Sequence, residues 1–173
     1  MIGARAGLVV LLLGCSSAAA PSASTPPTAG ESIEFAFGSL DGSVVSSENT
    51  RGRVTALLFV TTYDLPSQAA ARRLGEAYRV HKPRFNAAAV VLEAAENAVL
   101  VEVFRSTLGL PYPVAIADAV ELKASTAFDA VKGVPTLVLL DRDGRVTRTR
   151  FGLFESRELG AWLRAAEGGA AEP

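Results

Sequence analysis

Cysteine occurs once in this 173-residue chain, as Cys15, and histidine once, as His81. One cysteine excludes an internal disulfide, and one histidine with no second thiol near it excludes the Cys/His sets that hold zinc. No Ser-His-Asp set and no glycine-rich phosphate loop appears either, so neither a metal nor a cofactor is expected. An excess of one charge is also missing: 17 Lys and Arg stand against 18 Asp and Glu, for a net charge of -1. That balance gives no basic footprint for nucleic acid. The apolar run at residues 6–13 is well short of the roughly 20 residues a membrane-spanning helix needs. No internal repeat and no long run of charge is present.

What is present begins with a leader. One basic residue, Arg5, precedes the apolar run at 6–13, and small residues follow, which is the pattern of a secretory signal over residues 1–14. Leu12-Leu13-Gly14-Cys15 resembles the lipobox of bacterial lipoproteins. That resemblance implies cleavage before Cys15 and lipidation of its thiol; the bland alternative is an ordinary signal peptide with an incidental cysteine. Residues 15–30 then read as the anchor cysteine and a tether of Ser, Ala, Pro, Thr and Gly, with little to bury. Residues 31–167 are one domain's worth of chain, long enough for a single core, and residues 168–173 read as a disordered tail. A lipid on Cys15 would hold the domain to a membrane without spanning it.

Within the domain, strand and helix signals alternate, as in an α/β fold. Residues 33–37 and 43–45 flank Leu40-Asp41-Gly42 and read as an opening hairpin. Residues 54–61 form a continuous apolar run suited to a buried central strand. Residues 67–80 follow as a helix with Ala70, Leu74, Ala77 and Tyr78 on one face. Residues 86–92 read as a second buried strand, 97–108 as a helix turning Val101 and Phe104 inward, and 122–128 as a short helix. Residues 136–140 and 146–151 flank Asp141-Arg142-Asp143-Gly144 as a closing hairpin. Residues 155–166 read as a last helix carrying Leu159, Trp162 and Leu163.

Four ordered pieces now carry a resemblance. Leu40-Asp41-Gly42 with Arg51-Gly52-Arg53-Val54, then Phe59 through Ser67, then Gly133-Val134-Pro135-Thr136, then Asp141-Arg142-Asp143-Gly144 resemble the membrane-anchored thioredoxin-like proteins of the TlpA and redoxin type. The resemblance covers residues 33–152. It implies an α/β thioredoxin-like fold, with a central mixed sheet flanked by helices and an N-terminal β-hairpin extension. It also implies a cis proline at Pro135 and thiol-disulfide exchange through a Cys-x-x-Cys pair.

Asp64 and Ser67 stand where that pair would be. Exchange requires a thiolate, and neither a carboxylate nor a hydroxyl replaces one. A peroxiredoxin reading of Thr61-Thr62-Tyr63-Asp64 fails at the same residue. Asp64, two residues before Pro66, suits a helix N-cap, where the helix dipole favours negative charge; a ligand contact is its alternative role. Ser67 reads as first-turn helix surface. The resemblance implies that the residue before the cis proline, Val134, offers its backbone to an extended segment. Tyr63, Asp64, Val134, Pro135 and Thr136 are therefore the expected groove. Pro135 could equally serve the fold alone, and Tyr63 could equally cover the core.

The weaker candidates have ordinary explanations. His81 reads as a helix C-terminal residue interacting with the dipole. Glu93, Glu96 and Glu102 read as solvated surface acids. Leu110-Pro111-Tyr112-Pro113-Val114 reads as a rigid connector. The expectation is a redox-inactive, exported lipoprotein that binds an envelope protein or an extended peptide through this groove. It would lie on the periplasmic face of a bacterial membrane, and Ser16 after the cysteine resembles lipoproteins sent to the outer membrane. The alternatives are a thiol-disulfide oxidoreductase or peroxidase using a partner's cysteine, and a purely structural envelope protein.

Overall fold

The computed structural model describes residues 32–124 and 126–168. The expected leader, Cys15 and the tether lie outside the described residues, as do residues 169–173 of the expected tail.

β3 (Val54–Val60) is seven apolar or β-branched residues in a row, every one of them buried. It is the middle strand of a five-stranded sheet. β4 (Phe85–Leu92) and β5 (Val114–Ala117) run parallel to it on one side. β6 (Thr136–Leu140) and β7 (Val146–Phe151) run antiparallel to their neighbours on the other, which gives the order β5-β4-β3-β6-β7. Successive side chains of a strand point to opposite faces, so each strand feeds two cores. Val54, Ala56, Leu58 and Val60 join Leu74, Val101 and Leu159 from helices α2 (Leu65–His81), α3 (Ala98–Leu108) and α5 (Ser156–Glu167). Leu57 and Phe59 join Ile33, Val45 and Phe128 on the other face. Burial of one such Leu or Phe is worth about 1.5–3 kcal/mol.

The second face is covered by a two-stranded hairpin, β1 (Ala36–Gly38) and β2 (Val44–Ser46), with Phe37 opposite Val45. Gly42 sits in the turn at φ 81°, in the region where side chains are disfavoured. A one-turn helix α1 (Ser47–Thr50) follows, closed by reciprocal hydrogen bonds between Ser46 and Asn49. The sequence reading has no helix there, because four residues show no apolar period. Residues 122–128, expected as one short helix, fall in two pieces: α4 (Ala119–Ala124) and a 3-10 turn (Thr126–Phe128).

β5 corrects the sequence reading, which has only a connector over 110–114. Strand β5 is four residues between Pro113 and Asp118, too short for alternation to register. The connector leading to it is more than a spacer: the Tyr112 ring is buried, and its hydroxyl donates to the Ala71 carbonyl at 2.7 Å.

Because β3 and β4 are parallel and in register, with Val60 opposite Val91, the segments that follow them emerge at the same end of the sheet. β6 starts at that end, with Thr136 opposite Phe59. At the other end lies the β6–β7 turn, where the Ile33 N–H donates to the Gly144 carbonyl at 3.0 Å. Among the described residues no helix is long and apolar enough to cross a membrane.

Candidate functional site

Asp64 is the N-cap of α2, in an extended conformation with Pro66 in the first turn behind it. One carboxylate oxygen accepts the Ser67 N–H at 2.8 Å, and the other accepts the Thr61 hydroxyl at 2.6 Å. Partial burial pushes its carboxyl up. The hydrogen bonds from Ser67 and Thr61 outweigh that and hold it below the ordinary aspartate range.

Ser67 is not helix surface, as its type and position suggested. It is fully buried, and its hydroxyl accepts the Thr61 N–H at 3.2 Å. The two residues at the expected cysteine positions thus bracket Thr61 from both sides, one through its hydroxyl and one through its amide.

Glu93 is the second correction. Instead of a solvated acid it is a buried residue just past β4, at 9% exposure. One of its oxygens accepts both the Thr62 N–H at 2.7 Å and the Thr62 hydroxyl at 2.6 Å. The other accepts the Asn97 side-chain amide at 3.2 Å. The Gln68 amide donates to the Thr62 carbonyl at 3.0 Å. The sequence signal for this residue was its place at the end of a buried strand next to the Thr61-Thr62 pair.

Tyr63 follows this clamped residue and is 78% exposed, so it does not cover the core. Leu65 beyond it is equally open, at 76%. On the facing side the Val134–Pro135 bond is cis. Continuing the antiparallel Phe59–Thr136 register sets Pro135 and Val134 alongside Val60 and Thr61. Val134 is half-buried against the second core cluster, and among the described residues its backbone N–H and C=O have no backbone partner. Pro135 is buried, and its carbonyl accepts the Gly152 N–H at 2.8 Å. Thr136, expected as a contact residue, is 1% exposed, and its hydroxyl is spent on the Gly133 carbonyl at 2.6 Å. It shapes the loop from beneath. The Phe151 ring, largely exposed, lies over Gly133, where a Cβ would fall 2.9 Å from it.

The structure therefore brings Tyr63, Asp64 and Val134 to one end of the sheet, with Ser67, Pro135 and Thr136 as support. His81 is at the far end of α2, away from them. Among the described residues no group of His, Cys, Asp or Glu could hold a metal ion.

The sheet order, the helices flanking the sheet and this loop define a thioredoxin-like α/β fold with an added N-terminal hairpin. No family model matches the chain. Among curated proteins it is similar to the thiol-disulfide oxidoreductase ResA of Bacillus anthracis, with 25% identity over 134 residues, 78% of this chain and 75% of the relative. Among solved structures it is similar to a putative thiol:disulfide interchange protein DsbE from Chlorobium tepidum, at TM-score 0.69 and 23% identity, covering 82% of this chain and 99% of that one. It is also similar to dsbF of MTB, at TM-score 0.66 and 20% identity, covering 76% and 94%.

Proposed function

We propose that this chain is a thioredoxin-fold binding module with no thiol chemistry of its own, holding an extended polypeptide in the groove between Tyr63, Asp64 and Val134. The reading rests on one juxtaposition. Both oxygens of Asp64, at the expected nucleophile position, are committed to the loop and the helix start, while the Val134 backbone on the facing side has no backbone partner among the described residues. A carboxylate so placed cannot attack sulfur. A backbone donor and acceptor so placed can pair with an added strand, and Tyr63 offers an aromatic contact beside it. Cys15, as a lipid anchor, would place the module on the outer side of a bacterial membrane, facing the periplasm where there is one. The residue after it favours the outer membrane.

A second reading is favoured by the names of the relatives: thiol-disulfide exchange, with a partner supplying the cysteine. One experiment separates the two. The full chain is tested for capture of reduced, carbamidomethylated α-lactalbumin, a permanently unfolded polypeptide, and for insulin reduction beyond that given by an added cysteine-containing peptide alone. Capture that falls about tenfold or more in Val134→Arg, with no insulin reduction beyond the peptide's own, supports the module. Insulin reduction beyond it overturns the thiol-free reading, and equal capture by parent and variant overturns the groove.

A further inference from the structure

Glu93 is a buried carboxylate just past β4. Among the described residues no Lys, Arg or His lies within ion-pair distance of it. Burying an acid without a counter-charge costs stability, and an apolar side chain of the same size would pack there at less cost. Where a fold keeps a costly polar group, the group's contacts show what it serves. Here two of the three hydrogen bonds go to a single residue, Thr62, and they use both its donors. Gln68 of α2 takes the remaining backbone group, the carbonyl. Thr62 is thus fixed from β4 and from α2 at once, and the next residue in the chain is the exposed Tyr63. The third bond reaches Asn97, which precedes α3, so one side chain ties together the ends of β3, β4 and the start of α3.

We infer that Glu93 is a positioning residue of the groove: it holds Thr62 so that Tyr63 is presented in a fixed place before any partner arrives. This deepens the binding-module reading and rests on it. A preformed contact spares the partner the entropy of ordering the loop. Glu93 itself touches no partner.

The test needs a readout that does not depend on the partner. Amide hydrogen exchange on the full chain is compared among the parent, Glu93→Met and Glu93→Gln. In Glu93→Gln the side-chain carbonyl still accepts both Thr62 bonds, and Asn97 can turn its own carbonyl to the new amide, so the clamp survives. Glu93→Met keeps the volume and removes every acceptor. The expected result is Thr62 exchange at least about tenfold faster in Glu93→Met, near parental in Glu93→Gln, with the α2 interior around Leu74 unchanged in both. Capture of carbamidomethylated α-lactalbumin should fall in Glu93→Met and return in Glu93→Gln. Unchanged Thr62 exchange in Glu93→Met, or acceleration spread evenly over the domain, overturns the inference. So does faster exchange with undiminished capture. If the parent captures no probe, the binding-module reading fails while the exchange data still decide what Glu93 holds. If Glu93→Met does not fold, Thr62→Val, which deletes one of the two donors, carries the same comparison.

Discussion

At the scale of single residues, Asp64 sets a carboxylate at the start of α2, where the helix dipole favours negative charge. The site at a helix N-terminus that favours a thiolate favours a carboxylate for the same electrostatic reason. Removing the cap in Asp64→Ala should cost about 1 kcal/mol, read as a lower urea midpoint. The acid's depressed titration adds a pH signature. Its folded-state value lies below the ordinary aspartate value of 3.8, so its contribution is complete above that pH and is lost as pH falls through the folded value. Asparagine keeps the cap without titrating. Asp64→Asn should therefore lose less stability than the parent between pH 5 and pH 3, and an equal loss would show that the carboxylate is not held as described. The N-cap was legible because Asp and Pro66 stand in the right order. Ser67 and Glu93 were not legible: residue type says surface for both, and only the folded chain shows that each is buried to hold a neighbouring threonine.

At the scale of elements, what the sequence disclosed depended on length and on environment. β3 and β4 could be read because a strand buried on both faces is an unbroken apolar run. β6 and β7 could be read because a turn signal separates them. β5 was hidden directly behind Pro111 and Pro113, and α1 was shorter than one apolar repeat. The connector before β5 offers the clearest element-level test. Burial pushes the Tyr112 phenol far up, and its hydroxyl donates to the Ala71 carbonyl. A phenol kept neutral in the fold gives stability that is complete below its ordinary value of 10 and lost as pH rises beyond it. Tyr112→Phe should lose about 1 kcal/mol near pH 7 through the missing hydrogen bond. It should also unfold less steeply than the parent on alkaline titration above pH 10, followed by circular dichroism. A variant with the parent's alkaline slope would mean that this phenol is not the group being held neutral.

At the scale of the whole molecule, the two ends of the sheet have different work. The candidate groove occupies one end, and the N-terminal part of the described chain is fastened at the other, through Ile33 and Gly144. On the anchor reading, Cys15→Ala should move the protein from the membrane to the soluble fraction without altering its fold. Unchanged fractionation would remove the anchor and leave the groove untouched. The general architecture was legible from four ordered motifs. The groove's membership was only partly so, since Pro135 and Thr136 turned out to be buried supports beneath the exposed Tyr63 and half-open Val134.

β7 closes one side of the sheet as an edge strand, with Arg148 set against the Trp162 ring and Arg150 exposed to solvent two residues on. An open edge is a template onto which a second molecule could zip. Two copies meeting there head to tail would bring guanidinium groups against each other. The strand that ends the sheet thus carries, in Arg150, a charge that disfavours edge-to-edge pairing with a second copy.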